Sequence, residues 1–276
     1  MSDQLEHLRP AGGKHAIEEV VFEINLATEP PLQVQKYESI LSDLLKDDLP
    51  KFENKILTGI HVTDDTVRKE EPELTGFALH SFKKDGSVQF RLHSMKGPPE
   101  GQSWVAINIL EYSRWNKIKP KALRWLEAIL EVQEDLVANG ITLNYIDRFY
   151  WDSEDPFPAD DVFQFKESNY VPTALQDNQI GWSSRLSFAH KEDGFTQTDT
   201  VAVAHEFNQV HNFSRATVSM PLRVVFNEAR TYAELFSEGS VNELFDKLHN
   251  DNKRILADIL KPEIQDMIEL EIGTDT

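Results

Sequence analysis

The chain contains no cysteine. Disulfide bonds, thiolate nucleophiles, cysteine-ligated zinc sites and iron–sulfur clusters are therefore excluded. Positive charge is scarce as well, since 28 lysines and arginines stand against 47 aspartates and glutamates, and the formal net charge is −19. An acidic protein of this kind lacks the basic face that broad binding to a nucleic-acid backbone requires.

Long apolar runs are also absent. No segment approaches the roughly 18 apolar residues that span a bilayer, and residues 1–14 lack the apolar core of a signal peptide. We therefore expect no membrane partner and a cytoplasmic location. The hydrophobic share of 40% is ordinary for a globular protein, so extensive disorder is not expected.

Familiar catalytic and nucleotide-binding motifs are missing too. The sequence has neither the Gly-x-x-x-x-Gly-Lys-[Ser/Thr] loop nor the Gly-x-Gly-x-x-Gly loop. His205 and His211 are too far apart for His-Glu-x-x-His, which places both imidazoles on one helix face around zinc. We therefore expect no catalytic residue, no metal and no cofactor, and we favour a protein that is not an enzyme.

Strand and helix patterns follow one another irregularly. Period-two alternation predicts strands at 17–24, 54–62, 74–82, 87–94, 103–110, 141–151, 179–189, 197–207 and 213–226. Apolar residues at helical spacing predict helices at about 34–50, at about 119–138 and from Ser240 to Pro262. Because the strands come in antiparallel-looking runs between helices, we predict an α+β fold of antiparallel sheets with flanking helices. The element order permits two similar α+β halves, although no residue-level repeat is present.

The predicted boundary between two halves is an acidic segment at residues 152–161. It holds two prolines and five acids in ten residues, a composition typical of a solvated linker. We therefore predict a flexible N-terminus at 1–15, a first half at 16–151, the linker itself, and a second half at 162–272.

Four segments resemble, in their order along the chain, the motifs of one protein family. They are residues 16–24, 104–115, 140–148 and 248–252. The chain is similar to a sporadically distributed bacterial family of roughly 250-residue proteins of unknown function. Its members open on an Ile-x-Glu-Val-Val-Phe strand, carry Tyr-x-x-Trp in the middle and end on a helix that begins Leu-His. Asn144 and Asp147 depart from the family's Arg-Tyr-Ile-Asn-like strand. The resemblance spans about residues 16–260 and implies an association with mobile or antiviral defence gene clusters, but no activity.

One segment runs against the acidic composition. Residues 114–125 hold five bases and no acid, and positive charges near a helix N-terminus oppose the helix dipole. An anion, an acidic partner or a strand of nucleic acid could bind there, with an indole ring stacking on it. The alternative is that these bases pair with the protein's own acids. The candidate binding residues are Arg114, Trp115, Lys117, Lys119, Lys121 and Arg124.

Arg148 and His205 are two further candidate binding residues. Asp147 and Arg148 interrupt an apolar strand, and since adjacent strand residues face opposite ways, at most one of them points into the core. A buried charge there needs a partner, so Arg148 is either part of an internal ion pair or marks a ligand pocket. His205 lies on a strand face with Val201 and Val203, as a structural residue or one that lines a cavity.

Three functional hypotheses remain. The leading one is a non-catalytic cytosolic bacterial binding protein, acting as a sensor, adaptor or inhibitor with a protein partner or as a homo-oligomer. The alternative is a small-molecule-binding protein or an enzyme with a cavity site in a curved antiparallel sheet, for which the suspected residues are His80, His93, His205, Arg148 and Arg185. The third is an obligate dimer built on the final helix.

Overall fold

The structure, a computed structural model, divides into two compact units. Unit 1 comprises residues 1–21, 142–224 and 241–276, and unit 2 comprises residues 22–141 and 225–240. Within these units the structure describes residues 5–28, 34–57, 60–63, 66–69, 71–96, 103–132, 136–176, 181–208, 213–237 and 240–272. The segment at 152–161 lies wholly within unit 1.

The fold class is α+β, which confirms the prediction from sequence. The strands are β1 (Leu8–Pro10), β2 (Ile17–Leu26), β3 (Lys51–Leu57), β4 (Ile60–Thr63), β5 (Thr66–Lys69), β6 (Glu73–Phe82), β7 (Val88–Met95), β8 (Ser103–Ile109), β9 (Val137–Trp151), β10 (Gly181–Glu192), β11 (Phe195–Asn208) and β12 (Phe213–Thr231). The helices are α1 (Val34–Leu45), α2 (Trp115–Val132), α3 (Ala159–Val162), α4 (Tyr232–Phe236), α5 (Ser240–Ile259) and α6 (Pro262–Met267), with a 3₁₀ turn at Thr173–Leu175. Ten strands belong to one antiparallel sheet, and β4 and β5 pair separately. No helix in the described part of the chain is long and apolar enough to cross a membrane.

In unit 1, helix α5 covers one face of the sheet. The strand order is β10-β11-β12-β9, and β1 pairs antiparallel with β9. Along α5 the buried residues Phe245, Leu248 and Asn252 recur at helical spacing. The Asn252 side chain donates a hydrogen bond to the carbonyl of Met220 on β12 at 3.3 Å. This bond and the apolar stripe hold α5 against the strands.

In unit 2, helix α2 covers a sheet whose strand order is β2-β8-β7-β6-β3. Trp125 is fully buried and meets the Phe90 ring edge-on, with centroids 5.4 Å apart. Trp115, the first residue of α2, stacks on Phe22 at 5.4 Å. Ile118, Leu126 and Ile129 are buried on the same helix as Trp125, so α2 presents a continuous apolar face to the unit.

The boundaries of α2 differ from those predicted. The helix starts at Trp115 and ends at Val132, so Pro120 lies inside it, and the predicted stop residues Asn139 and Gly140 belong to β9. The first turn forms early because the amides of Lys117 and Ile118 donate to the carbonyl of Arg114. The strand begins early because the Val137 carbonyl accepts from the Ala27 amide at 2.7 Å, just beyond β2. The strand predicted at 54–62 likewise divides into β3 and β4, which lie in different sheets.

Candidate functional site

A polar cavity of about 420 Å³ lies in unit 1 between the β10–β11 hairpin, helix α5 and the loop residues Asn169 and Tyr170. The hairpin closes through Asp193-Gly194, where Gly194 has φ of +81° and Glu192 pairs with Phe195. Asp-Gly favours such two-residue turns because both positions tolerate positive φ. The short turn brings the ends of both strands to the cavity.

Two periodicities supply the side chains of the cavity. Gln197 and Asp199 are two apart on β11 and share one face of the strand. Lys247, Asp251 and Arg254 lie one turn apart along α5 and share one face of the helix. The cavity therefore forms where a polar strand face meets a polar helix face.

The floor of the cavity is a buried amide between two carboxylates. Gln197 is only 3% exposed, and Asp199 and Asp251 are also buried. The Gln197 side-chain nitrogen donates to Asp199 Oδ1 at 2.8 Å and to Asp251 Oδ2 at 2.9 Å. Because Gln197 donates to one oxygen of each acid, it fixes both carboxylates relative to the strand.

Cations at the rim complete the network. Lys247 Nζ lies 3.1 Å from Asp251 Oδ2 and also donates to the side-chain oxygen of Gln197. Arg254 bonds the other oxygen of Asp251. His190, on β10, lies 3.1 Å from Asp199 Oδ2. Each buried acid is thus met by at least one donor from a second element.

These contacts set the protonation states. Burial alone would raise the pKa of Asp251, but hydrogen bonds from Gln197 and Lys247 and the charge of Lys247 outweigh burial and hold the pKa below its usual value. Burial, together with the negative charges of Asp258 and Asp199, raises the pKa of the Tyr170 phenol. At neutral pH the cavity therefore presents an ionised Asp251 and a protonated, hydrogen-bond-donating Tyr170.

Carboxylates outnumber permanent cations around the cavity. Its lining includes the acids Glu192, Asp199, Asp251 and Asp258 and the cations Lys247 and Arg254. Among the described residues, no group of three or more His, Asp or Glu side chains could hold a metal ion. The arrangement is suited to binding a polar molecule with a positive charge.

The basic segment lies on α2, and an internal acid holds part of it. Lys121 Nζ is 3.8 Å from Asp48 Oδ1, and Arg124 bonds the other oxygen of Asp48. The indole nitrogen of Trp125 donates to that same oxygen at 3.1 Å. Lys121 also lies 4.7 Å above the Phe90 ring. These two cations therefore serve the packing of unit 2.

The other members of the basic segment are more accessible. Arg114 and Lys117 are exposed, and within the described residues neither forms an ion pair. Trp115 is half-buried by its stacking on Phe22, and Lys119 Nζ lies 5.9 Å above the indole ring. Arg114 and Lys117 are therefore exposed cations at the start of α2.

The strand β9 separates Asp147 from Arg148, as the alternation predicts. Arg148 Nη1 lies 2.6 Å from a carboxylate oxygen of Glu18, and the Tyr150 hydroxyl donates to the same carboxylate at 3.1 Å. Arg148 therefore takes part in an internal ion pair, the alternative to a ligand pocket. Asp147 faces the other way, is 1% exposed and has no hydrogen bond to either oxygen within the described chain. Burial raises its pKa to about 7.

His205 is packed into an aromatic cluster of unit 1. It is buried on β11, its ring stacks on Phe157 at 4.7 Å, and its Nε2 lies 2.9 Å from the Ser214 hydroxyl. Burial lowers the pKa of His205, so the ring is neutral at pH 7. His211, the second histidine of the sequence comparison with His-Glu-x-x-His, lies outside the described residues.

The remaining candidate residues lie apart from the polar cavity. Arg185 is exposed on β10. His80 and His93 belong to unit 2, as do all six candidates of the basic segment, whereas Arg148 and His205 belong to unit 1. The sequence-predicted residues are therefore divided between the units, and none of them lines the cavity.

Sequence reasoning missed the cavity residues themselves. A signal was present in the polar pair Gln197 and Asp199 on the strand face that also carries Val201 and Val203, and in Asp251 and Asn252 on the apolar side of α5. Buried polar residues in such positions need partners. The two signals lie 54 residues apart, and only the fold brings them together.

Comparison with known proteins does not assign a function to this cavity. No protein-family model matches the chain, and no curated protein matches it. The family resemblance described above therefore stays a prediction, and function must be inferred from the chemistry of the residues.

Proposed function

We propose that this protein is a non-catalytic binding protein whose unit 1 cavity takes a small, polar, positively charged ligand. The observation that carries the proposal is the buried floor of Gln197, Asp199 and Asp251 at the base of a 420 Å³ cavity. Burying carboxylates is costly even when they are paired. A cationic ligand would add charge-assisted hydrogen bonds to acids that are already oriented.

Binding has more support than catalysis at this place. Hydrogen bonds from Gln197 and Lys247 hold the pKa of Asp251 below its usual value, whereas general acids and bases work best with a pKa near the working pH. The floor is also rigid, because Gln197, Asp251 and Lys247 bond one another. Rigid, pre-oriented groups favour affinity.

The ligand class follows from charge and from Tyr170. With more carboxylates than cations, the lining favours an ammonium or guanidinium group over an anion. The Tyr170 ring offers an aromatic face for a cation, and its phenol offers a donor for a ligand oxygen. A small amine fits this description better than a phosphate or a sugar.

The test is calorimetry with defined probes. Putrescine and spermidine serve as cationic probes and succinate as the anionic one, with wild type, Asp199→Asn and the control Asp193→Asn, which changes an exposed hairpin acid. We expect an amine to bind wild type and the control alike, and Asp199→Asn to weaken binding about tenfold, the equivalent of one charge-assisted hydrogen bond of about 1.4 kcal/mol. Binding of succinate instead of the amines, or equal binding by Asp199→Asn, would refute the proposal.

A second candidate function is docking of an acidic protein partner on the basic segment, including a further copy of this acidic chain. Arg114 and Lys117 support it, because they are exposed cations without an ion pair among the described residues. Cross-linking of the wild type and of Arg114→Glu/Lys117→Glu tests it, with Lys84→Glu in the β6–β7 turn as control. Loss of the cross-linked complex only in the double variant supports docking, and its persistence counts against it.

The wider setting is also a proposal. We infer a bacterial, cytoplasmic protein, a sensor, adaptor or inhibitor of a mobile or antiviral defence gene cluster. The support is the absence of cysteine and the four-segment resemblance. The genes beside this one test the inference, because a defence role requires defence genes as recurrent neighbours.

A further inference from the structure

The strand β10 forms the outer edge of the unit 1 sheet. It stands at one end of the strand order and, among the described residues, pairs only with β11. It runs over twelve residues, with no proline and no break in its register with β11. Proline, a bulge or a short length commonly keeps a further strand from pairing with an edge. The edge of β10 has none of these three features.

The turn after β10 determines which backbone groups face outward. Glu192 pairs with Phe195 across a two-residue loop, and the pair that closes such a loop exchanges both of its hydrogen bonds. Because bonding alternates along an antiparallel pair, the odd-numbered residues of β10 point their N–H and C=O groups away from β11. These residues are Ser183, Arg185, Ser187, Ala189 and Lys191. All five are exposed, and no backbone hydrogen bond joins them to another segment within the described chain.

The side chains on this face of the β10–β11 hairpin carry positive charge only. Arg185 and Lys191 are exposed, and neither forms an ion pair with a described residue. The residues opposite the odd-numbered positions of β10 are uncharged, and they are Thr196, Thr198, Thr200, Ala202 and Ala204 of β11. A face with two cations and no acid is unusual in a chain of net charge −19, and it favours an acidic partner.

The opposite face of β10 contributes two apolar side chains at the same edge. Leu186 is half-buried, and Phe188 is 38% exposed, with its ring edge-on to Tyr170 at 5.6 Å between centroids. An added strand would place its own side chains beside both residues. Apolar residues at those positions would cover the exposed parts of Leu186 and Phe188 and gain free energy from the burial.

We propose that the outer edge of β10 binds an extended acidic segment of another protein, which joins the sheet as an antiparallel strand. Backbone hydrogen bonds supply affinity, and side chains set the sequence preference. Counted from the residue opposite Lys191, the segment carries acids at its first and seventh positions, the seventh opposite Arg185. Its fourth and sixth positions are apolar and lie opposite Phe188 and Leu186. This edge does not depend on the amine site proposed for the cavity.

A second copy of β10 fits this edge less well than an acidic segment does. It would bring another Arg185 and another Lys191 to a face that already carries two cations, and like charges on neighbouring strands are destabilising. The charge pattern therefore favours a different protein over self-association at this edge.

The test measures binding of the peptide Asp-Thr-Thr-Val-Thr-Val-Asp, blocked at both ends except for a fluorophore, by fluorescence anisotropy. We expect the wild type to bind it with a Kd below about 1 mM. Arg185→Glu/Lys191→Glu should weaken binding at least tenfold. The matched control Lys46→Glu/Lys84→Glu, which reverses two exposed lysines of unit 2, should leave binding unchanged. The same peptide with lysine in place of both aspartates should not bind.

Two N-methylated peptides test the strand pairing itself. In the antiparallel arrangement the amide of the fifth peptide residue faces β10, whereas the amide of the fourth faces away from it. N-methylation at the fifth residue should therefore weaken binding at least tenfold, and N-methylation at the fourth should have little effect.

Four results would overturn the proposal. They are a wild type that does not bind the acidic peptide below about 1 mM, equal binding by Arg185→Glu/Lys191→Glu, and equal effects of the two N-methyl groups. The fourth is a dimer of the free protein that Ala189→Pro abolishes in sedimentation, because this variant removes one outward-facing N–H and its effect would assign the edge to a second copy.

Discussion

The phenol oxygen of Tyr145 on β9 lies 2.8 Å from Nδ1 of His249 on α5, with the two rings 5.8 Å apart. Tyr145 is 2% exposed and His249 is half-buried, so this bond is partly shielded from water. The two residues also belong to two of the segments that carry the family resemblance. The bond joins β9 to α5.

Removing this bond should destabilise unit 1. Tyr145→Phe should lower the free energy of unfolding by about 1 kcal/mol, because a buried hydrogen-bonding atom of His249 loses a partner. A double-mutant cycle with His249→Gln, measured by urea unfolding, should give a coupling of about 0.5–1.5 kcal/mol. Simple additivity of the two single changes would contradict a direct interaction.

The buried Asp147 should make stability fall as pH rises. Its pKa is about 7 in the fold and about 4 in an unfolded chain. Between these values the folded state holds a proton that the unfolded state lacks, so the free energy of unfolding decreases by up to about 1.4 kcal/mol per pH unit. Below pH 4 the effect of Asp147 on the free energy of unfolding no longer changes with pH. Above pH 7 its full destabilising effect is present.

The matching variant is Asp147→Asn, which keeps the shape and cannot ionise. We expect it to be more stable than the wild type at pH 8 and close to it at pH 4, in urea titrations at both values. Asp193→Asn, in the exposed β10–β11 turn, controls for the loss of one negative charge. Parallel pH profiles for wild type and Asp147→Asn would contradict this prediction, because they would mean that the carboxyl has the same pKa in the folded and unfolded chain.

The cavity network should show the opposite pH dependence. Asp251 has a lowered pKa in the fold, so its contribution to stability is present above the unfolded pKa of about 4 and is lost as pH falls through the lower folded value. Lys247→Met should therefore cost about 1 kcal/mol at pH 7, a value reduced because the lysine is partly exposed. At pH 2 the cost should be smaller. Lys253→Met on the same helix should show neither effect.

Asp48 should contribute more to the free energy of unfolding than an ordinary surface acid does. It accepts from the indole nitrogen of the fully buried Trp125 and binds Lys121 and Arg124. Asp48→Ala leaves that indole without an acceptor and should cost about 1–3 kcal/mol in urea unfolding. Asp47→Ala, next to it and exposed, should cost less than about 0.5 kcal/mol. Equal losses would mean that the indole bond contributes little.

Local patterns predicted the strands and turns well. Asp193-Gly194 marked the hairpin because its geometry depends only on adjacent residues, and alternation placed Asp147 and Arg148 on opposite faces. The ends of α2 were wrong because β9 extends through Asn139 and Gly140 to pair beside β2, a tertiary constraint that outweighs a local stop signal.

The candidate sites were less accessible to sequence reasoning. Gln197 meets Asp251 across 54 residues. This relation is not encoded in spacing along the chain. The charge pattern did identify the basic segment. It could not reveal that Asp48, which is far from this segment in sequence, forms ion pairs with Lys121 and Arg124.

The Asp48 carboxylate competes with any acidic partner for two cations of α2. The fold holds it beside Lys121 and Arg124 at a high effective concentration. A carboxylate arriving from another molecule cannot match that concentration, so it gains most from Arg114 and Lys117 at the start of the helix. Of the five cations in the basic segment, Asp48 thereby withdraws two, Lys121 and Arg124, from contact with an acidic partner.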